Sequence, residues 1–345
     1  MGTEIMPGQM SATPTILYDS RWPAPNGIGR FASEVARRIP GLTPLDASLP
    51  LFHPLDPWRL AREVRRVAPA AFFSPGFNAP VATPGIPLTF TIHDLNYVHF
   101  TPNTTAMKRA YFAMIVKPAC RRAARVFTVS EFSRRQIVEW AGVPDAAVLN
   151  VGNGVNPEFV PVGEKYAPGF TYILFVGSQA AHKNLRLLAR AMQRSRAGKE
   201  MKLLVTGLPT RETERWIAAD RLTGVLEFTG LVSDQRLPGY YRGAIALAMP
   251  SLFEGFGLPV VEAMASGTPV IASNRTSLPE IAGGAALLVE PLQVDSIADA
   301  IDRIVFDAAL REELSIKGIE RARAFSWERT AAAIDSVLRE VCRRS

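Results

Sequence analysis

The sequence predicts an α/β protein built from two doubly wound, parallel-sheet domains. Short apolar runs alternate with segments of helical periodicity along most of the chain, the pattern of βαβ units whose sheet is covered on both faces. At 345 residues the chain exceeds one average domain and gives two of about 150 to 180 residues each. Between them, residues 156–170 (NPEFVPVGEKYAPGF) hold three prolines and two glycines without helical periodicity, which marks a linker. The expected layout is a disordered lead over 1–14, a first domain over 15–155, the linker, a second domain over 171–325 and a terminal helix over 326–345.

In order, residues 15–19 read as a buried strand, and Asn26-Gly27-Ile28-Gly29-Arg30 opens a helix through Phe31, Val35 and Ile39. That glycine turn admits two readings, a seat for phosphate or sugar and a plain tight turn. Residues 57–68 read as a basic helix, 71–74 as a strand, and 87–93 as a stronger strand ending in His93-Asp94. Ligands gather at the carboxyl ends of strands in open α/β sheets, so this pair is well placed for chemistry, although a lone His is more often structural. Residues 104–124 form a long basic amphipathic helix with a kink or break at Pro118. A strand over 126–129 follows, and Ser130 is an N-cap position for a helix, with Ser133 three residues on.

The second domain begins with an apolar strand over 172–176. Gly177-Ser178 then leads to His182-Lys183-Asn184 at the head of a helix, where a lysine reaches a phosphate or is an ordinary surface cation. Strands over 202–207, 226–228, 245–249 and 270–273 alternate with helices over 213–219 and 237–242, and with one opened by Pro259. Ser277-Leu278-Pro279-Glu280 starts another helix. Residues 293–306 and 308–323 are helical, and Ser326 caps a last helix through Val341.

The chemistry centres on residues 250–273, PSLFEGFGLPVVEAMASGTPVIAS. Pro259 suits the first turn of a helix and Gly267 the residue past its end. Glu254 therefore lies in the loop before the helix and Glu262 about one turn inside it, so the acids bracket the helix N-terminus. Free N–H groups and the positive dipole end make that terminus an anion seat, which Gly255 and Gly257 let a ligand approach closely. A diphosphate fits, with Glu262 taking the ribose hydroxyls and Glu254 near whatever the diphosphate carries. The plainer alternative is a buried βα unit with a glycine turn and two solvated acids.

This stretch resembles the Glu-x7-Glu signature of the retaining GT-B glycosyltransferases of family 4, including EGFGLPVVEAMASGTPVIAS and SLPEIAG. Further motifs occur in the family's order: the Gly-Ile-Gly-Arg turn of Gly27, Gly29 and Arg30, near the interdomain gap, and the strand-end His93-Asp94, facing the donor sugar. The resemblance implies two Rossmann-like domains facing a cleft, with the donor held mainly by the second domain and the acceptor by the first. It implies His93, Asp94 and Glu254 as catalytic residues. Gly27, Gly29, Arg30, Ser178, Lys183, Gly255, Phe256, Gly257, Leu258, Glu262 and Ser277 are implied as substrate-binding. Similar enzymes often carry an Arg directly after the glycine where this chain has Ser178, which leaves Lys183 as the main phosphate cation and His182 or Arg186 as substitutes. The terminal helix is implied to cross back onto the first domain.

The expected reaction moves a hexose from a nucleotide diphosphate sugar to an acceptor hydroxyl with retention, the leaving diphosphate accepting the acceptor's proton. The Gly-Ser…His-Lys-Asn phrase and the SLPE turn look most like mannosyltransferases of bacterial polysaccharide and O-antigen assembly. GDP-mannose is therefore the first donor and a UDP-sugar the second. No Asp-x-Asp signature stands near the motif, so neither a divalent metal nor a cofactor is expected. Two other classes share the fold: a nucleotide-sugar epimerase, and a silent nucleotide- or lipid-binding scaffold, which would have lost Glu254, Glu262 or Lys183.

Charge and composition bound the partners. Residues 1–160 hold 16 Lys/Arg against 11 Asp/Glu, or +5, and the remaining 23 against 21 give +2. A basic first half suits an anionic lipid surface and a lipid-linked saccharide acceptor, with Lys108, Arg109, Lys117, Arg121 and Arg122 set around Met107, Tyr111, Phe112, Met114 and Ile115. A core helix with a solvated basic face is the alternative. Nucleic acid is not expected, because no helix-turn-helix, zinc-finger or RNP pattern organises base contacts. Two distant cysteines, Cys120 and Cys342, and no apolar run of about 20 residues point to a reducing, cytoplasmic setting, peripheral on the inner face of the membrane.

Overall fold

The computed structural model describes residues 15–22, 27–45, 51, 53–100, 102 and 104–344; the expected disordered lead over 1–14 and Asn26 of the glycine turn lie outside them. Among the described residues twelve strands form two sheets. The first contains β1 (Ile16–Tyr18), β2 (Leu42–Pro44), β3 (Ala71–Ser74), β4 (Leu88–Thr91), β5 (Arg125–Thr128) and β6 (Val148–Asn150), in the spatial order β2-β1-β3-β4-β5-β6. The second contains β7 (Tyr172–Phe175), β8 (Lys202–Val205), β9 (Leu226–Phe228), β10 (Ala246–Met249), β11 (Val270–Ser273) and β12 (Leu287–Val289), in the order β9-β8-β7-β10-β11-β12. Ladders in both sheets are parallel.

Both orders are doubly wound, and each reverses direction once, between β1 and β3 and between β7 and β10. Those reversals open crevices outside the strand carboxyl ends, where ligands bind in such sheets. Residues 156–170 between the sheets contain neither helix nor strand.

Successive strand residues face opposite sides, and each side is apolar. In the first sheet Leu17, Phe72 and Val126 pack into one cluster, while Tyr18, Phe73 and Phe127 pack into another. In the second sheet Ile173, Phe175 and Ala248 face one cluster, while Tyr172, Leu174 and Met249 face the other way. The inward faces of the two sheets share a single continuous cluster. The helix Trp327–Arg344 contributes to it: Trp327 meets Phe31 with ring centroids 6.3 Å apart and donates from Nε1 to Asn156 Oδ1 at 2.7 Å. Arg38 and Glu328 add an ion pair at 2.8 Å between this helix and the helix Gly27–Arg38.

The long basic helix runs through Pro118 without a break. A π-helical stretch, Phe112–Val116, joins the α-helical pieces Ala106–Tyr111 and Lys117–Arg122. Pro118 has no N–H for the carbonyl four residues back, and the wider turn, with the Lys117 N–H on the Phe112 carbonyl, accommodates it. Phe112 and Val116 turn into the core, whereas Met107 and Met114 stay exposed.

Candidate active site

The strand β10 delivers residues 250–257 to the reversal point of the second sheet, and the helix Leu258–Ala265 follows. Gly257 caps that helix with φ +98, and a Cβ there would lie 2.6 Å from Leu278 Cδ2, so both conformation and space require glycine. Gly255 is required for a different reason. A Cβ on it would lie 2.6 Å from the His93 carbonyl oxygen and from Asp94 Cβ, so the loop carrying Glu254 lies directly against the end of β4 in the first domain.

The two acids have separate partners, both buried. Glu254 accepts from Lys183 Nζ at 2.6 Å. Glu262 accepts from the guanidinium of Arg30, across the cleft, and from the Tyr241 hydroxyl at 2.7 Å. Arg30 also reaches Asp234, at 3.1 Å. Burial raises the Glu262 carboxyl above its usual range, opposed by the Arg30 charge and the Tyr241 hydrogen bond.

Lys183 owes its position to Asn184. This residue takes the left-handed conformation, φ 60, and its amide bridges the Pro250 carbonyl at 3.0 Å and the Pro291 carbonyl at 2.7 Å. The neighbouring cations named from sequence as substitutes do not supply a second charge. Arg186 is turned outward in a bidentate pair with Asp220, at 2.7 Å for both contacts. Burial pushes the His182 imidazole down to about 4, so it is neutral at neutral pH, and its ring lies 6.2 Å from Phe100 of the first domain.

His93 and Asp94 stand at the end of β4. His93 Nε2 lies 2.9 Å from the Pro75 carbonyl and must donate to it, which leaves the lone pair on Nδ1. Burial holds its pKa down at about 4. Asp94 accepts from the Asn96 N–H at 2.9 Å. Burial pushes it up to about 6, against that hydrogen bond and with the nearby Glu254 charge adding to the rise.

The structure gathers Gly27, Arg30, His93 and Asp94 of the first domain with Lys183, Glu254, Gly255, Leu258 and Glu262 of the second. The start of the Gly27 helix lies against Leu258, with 3.8 Å from a Cβ built on Gly27 to Leu258 Cδ1. Other expected residues sit differently. The Phe256 ring is buried against Phe325, 5.5 Å between centroids, leaving only its backbone for a ligand. Ser277 is fully buried, and its hydroxyl lies 2.9 Å from the Glu254 carbonyl and 3.2 Å from the Phe256 carbonyl, so it holds the loop. Ser178 is exposed and Gly29 buried. Sequence reasoning missed Tyr241 and Asp234, whose link to Glu262 exists only in three dimensions. Among the described residues no group of three His, Cys, Asp or Glu is arranged to hold a metal.

Residues 15–159 match the family described as Glycosyltransferase Family 4, and residues 163–321 the one described as Glycosyl transferases group 1. The chain is 31% identical over 288 residues to O-antigen chain mannosyltransferase B of Escherichia coli, covering 79% of this chain and 75% of that protein. It is 30% identical over 283 residues to the MMP alpha-(1->4)-mannosyltransferase of Mycolicibacterium hassiacum, covering 76% and 68%. The structure of HepE from Anabaena, solved with UDP and glucose, superposes with a TM-score of 0.77 at 17% identity over 95% of this chain and all of that one, which shows a common fold.

Proposed function

Because the chain belongs to the family 4 glycosyltransferases and has their two-domain GT-B fold, we propose that it transfers mannose from GDP-mannose, with retention, to a hydroxyl of a lipid-linked saccharide. The observation that carries this reading is the convergence of Lys183–Glu254 and Arg30–Glu262 on one helix N-terminus at the domain boundary. Lys183 and the helix N-terminus take the charge growing on the leaving diphosphate, without a divalent metal. Glu262 receives the ribose hydroxyls, sharing with or displacing Arg30. Glu254 faces the transferred sugar beside His93 and Asp94. The bond from the sugar C1 to the diphosphate oxygen breaks, the bond from C1 to the acceptor oxygen forms on the same face, and the acceptor's proton passes to the diphosphate.

Mannose is supported by the names of the relatives, an O-antigen chain mannosyltransferase and an alpha-(1->4)-mannosyltransferase. The bound UDP and glucose of HepE favour UDP-glucose as the second choice. A thermal-shift panel separates them: GDP-mannose is expected to raise Tm in a concentration-dependent way, by binding the native state only. A response to UDP-sugars with none to GDP-mannose overturns the donor assignment.

The acceptor's lipid places the first domain against a membrane. No helix of the described residues is long and apolar enough to cross one. The surface that supports contact is the basic face named from the sequence, without Phe112. Phe112 is buried, while Arg121 and Arg122 stay exposed and also donate to the Ala141 carbonyl at 2.9 Å and the Pro80 carbonyl at 3.2 Å. Met107 and Met114 remain 73% and 68% exposed, and Lys108 and Arg109 follow Met107 directly on the same helical piece, also exposed. Flotation is expected with anionic but not neutral vesicles, weakening at high salt and after Lys108→Glu/Arg109→Glu. Equal flotation with both vesicle types, or no effect of the charge reversal, removes the membrane contact.

A further inference from the structure

We propose that Ser130 and Glu280, on opposite domains, form a clasp that positions the Glu254 loop when the domains close. The proposal rests on the reading of Glu254 as the residue at the transferred sugar. Both positions belong to motifs that the sequence analysis used otherwise, one as a plain N-cap and the other as the start of a helix.

Ser130 caps the helix Glu131–Ala141, its Oγ accepting from the Ser133 N–H at 3.1 Å. The same hydroxyl is fully buried and donates its proton to the Gly255 carbonyl at 2.6 Å, one residue from Glu254 and in the other domain. Ser130 thus joins a helix start in the first domain to the catalytic loop of the second, with the Ser133 hydroxyl a longer second contact to the same carbonyl at 3.3 Å. Glu280 works in the opposite direction. Its carboxylate accepts from the Glu131 N–H at 2.8 Å and the Phe132 N–H at 3.0 Å. The first free amides of the helix are therefore satisfied by a charge from across the cleft, where the helix dipole favours an anion.

The loop is gripped from its own domain as well. Thr276 Oγ1 accepts from the Glu254 N–H at 3.1 Å, and Ser277 holds the flanking carbonyls. Ser277 and Glu280 lie three residues apart at the head of one short helix, Leu278–Ala282, so the loop and the cross-domain carboxylate move together. Domain separation takes the Ser130 proton from Gly255 and the Glu280 carboxylate from the amides in one motion. Closure restores both and fixes the direction of Glu254. Ser130 and Glu280 are positioning residues, because neither touches the reacting atoms.

The test uses the slow transfer to water, read as GDP release from GDP-mannose, which needs no acceptor. Ser130→Ala and Glu280→Gln are each expected to lower kcat about 10- to 50-fold while changing the Kd for GDP less than about 3-fold. Ser130→Thr, which keeps the hydroxyl, is expected to restore kcat to within about 3-fold of the parent. Asp307→Ala removes a cap from the distant helix Ala308–Ala322 and controls for general loss of stability; it is expected to lower Tm with kcat unchanged. In a Glu254→Gln background, Ser130→Ala is expected to have little further effect on kcat. Normal kcat in Ser130→Ala and Glu280→Gln, with a slow Glu254→Gln, overturns the clasp alone. An equal loss from Ser130→Ala in both backgrounds also overturns it. Normal turnover by Glu254→Gln overturns instead the reading on which the clasp rests.

Discussion

Glu254→Gln is expected to lower turnover of GDP-mannose by about 10²- to 10³-fold, the size of effect seen when one preorganised polar group aimed at developing charge is removed. The substitution keeps the side chain's shape and takes away its charge. Glu254 is 8% exposed, so solvent cannot replace that charge in the closed cleft. The loop should stay in place, because its backbone is fixed by the hydroxyls of Ser130, Thr276 and Ser277 and not by the carboxylate. The loss should therefore appear in kcat with KM nearly unchanged, the mark of an interaction made in the transition state. Initial rates across donor concentrations, with Tm measured alongside, check this. A rise in KM at constant kcat would place Glu254 in ground-state binding.

Lys183→Gln is expected to weaken GDP binding by roughly 10- to 150-fold, corresponding to about 1.5–3 kcal/mol for a charged contact in a partly dry cleft. The ion pair with Glu254 adds a second consequence that the sequence did not show. Removing Lys183 leaves a buried carboxylate without its cation, so turnover should fall as well. A double-mutant cycle separates the two effects: the kcat loss from Lys183→Gln should shrink when Glu254 is already Gln, while the loss of GDP affinity should persist. Additive losses in kcat would mean that the two side chains act independently despite their 2.6 Å contact.

Most of the second domain was legible because its strands are continuous apolar runs and its turns carry glycine or proline where the backbone needs them. Pro259 marked the first turn of the Glu262 helix, and His182-Lys183-Asn184 was placed at the head of another. The strands β2, β6 and β12 were not legible. Each has three residues, lies at a sheet edge and is partly exposed; β2 contains Pro44, β6 ends in Asn150, and β12, although apolar, is too short to stand out. In the site, Glu254, Glu262, Lys183, His93 and Asp94 stood out as a family pattern along the chain. Their partners did not. Tyr241 reads as one aromatic residue in a short helix, and Glu280 as an ordinary first-turn acid, because nothing local records a contact made across 21 or 149 residues. In the basic helix one residue sits differently for a related reason. Composition counts Phe112 in the amphipathic face, and only tertiary packing shows that it turns into the core.

The account depends on a division of labour between a residue that holds the diphosphate and one that acts on the sugar. Calorimetric titration of GDP, which lacks the transferred mannose, into the parent protein, Lys183→Gln and Glu254→Gln tests it most directly. The expected result is a Kd raised roughly 10- to 150-fold for Lys183→Gln and changed less than about 3-fold for Glu254→Gln. Equal loss of GDP affinity in the two variants would contradict it.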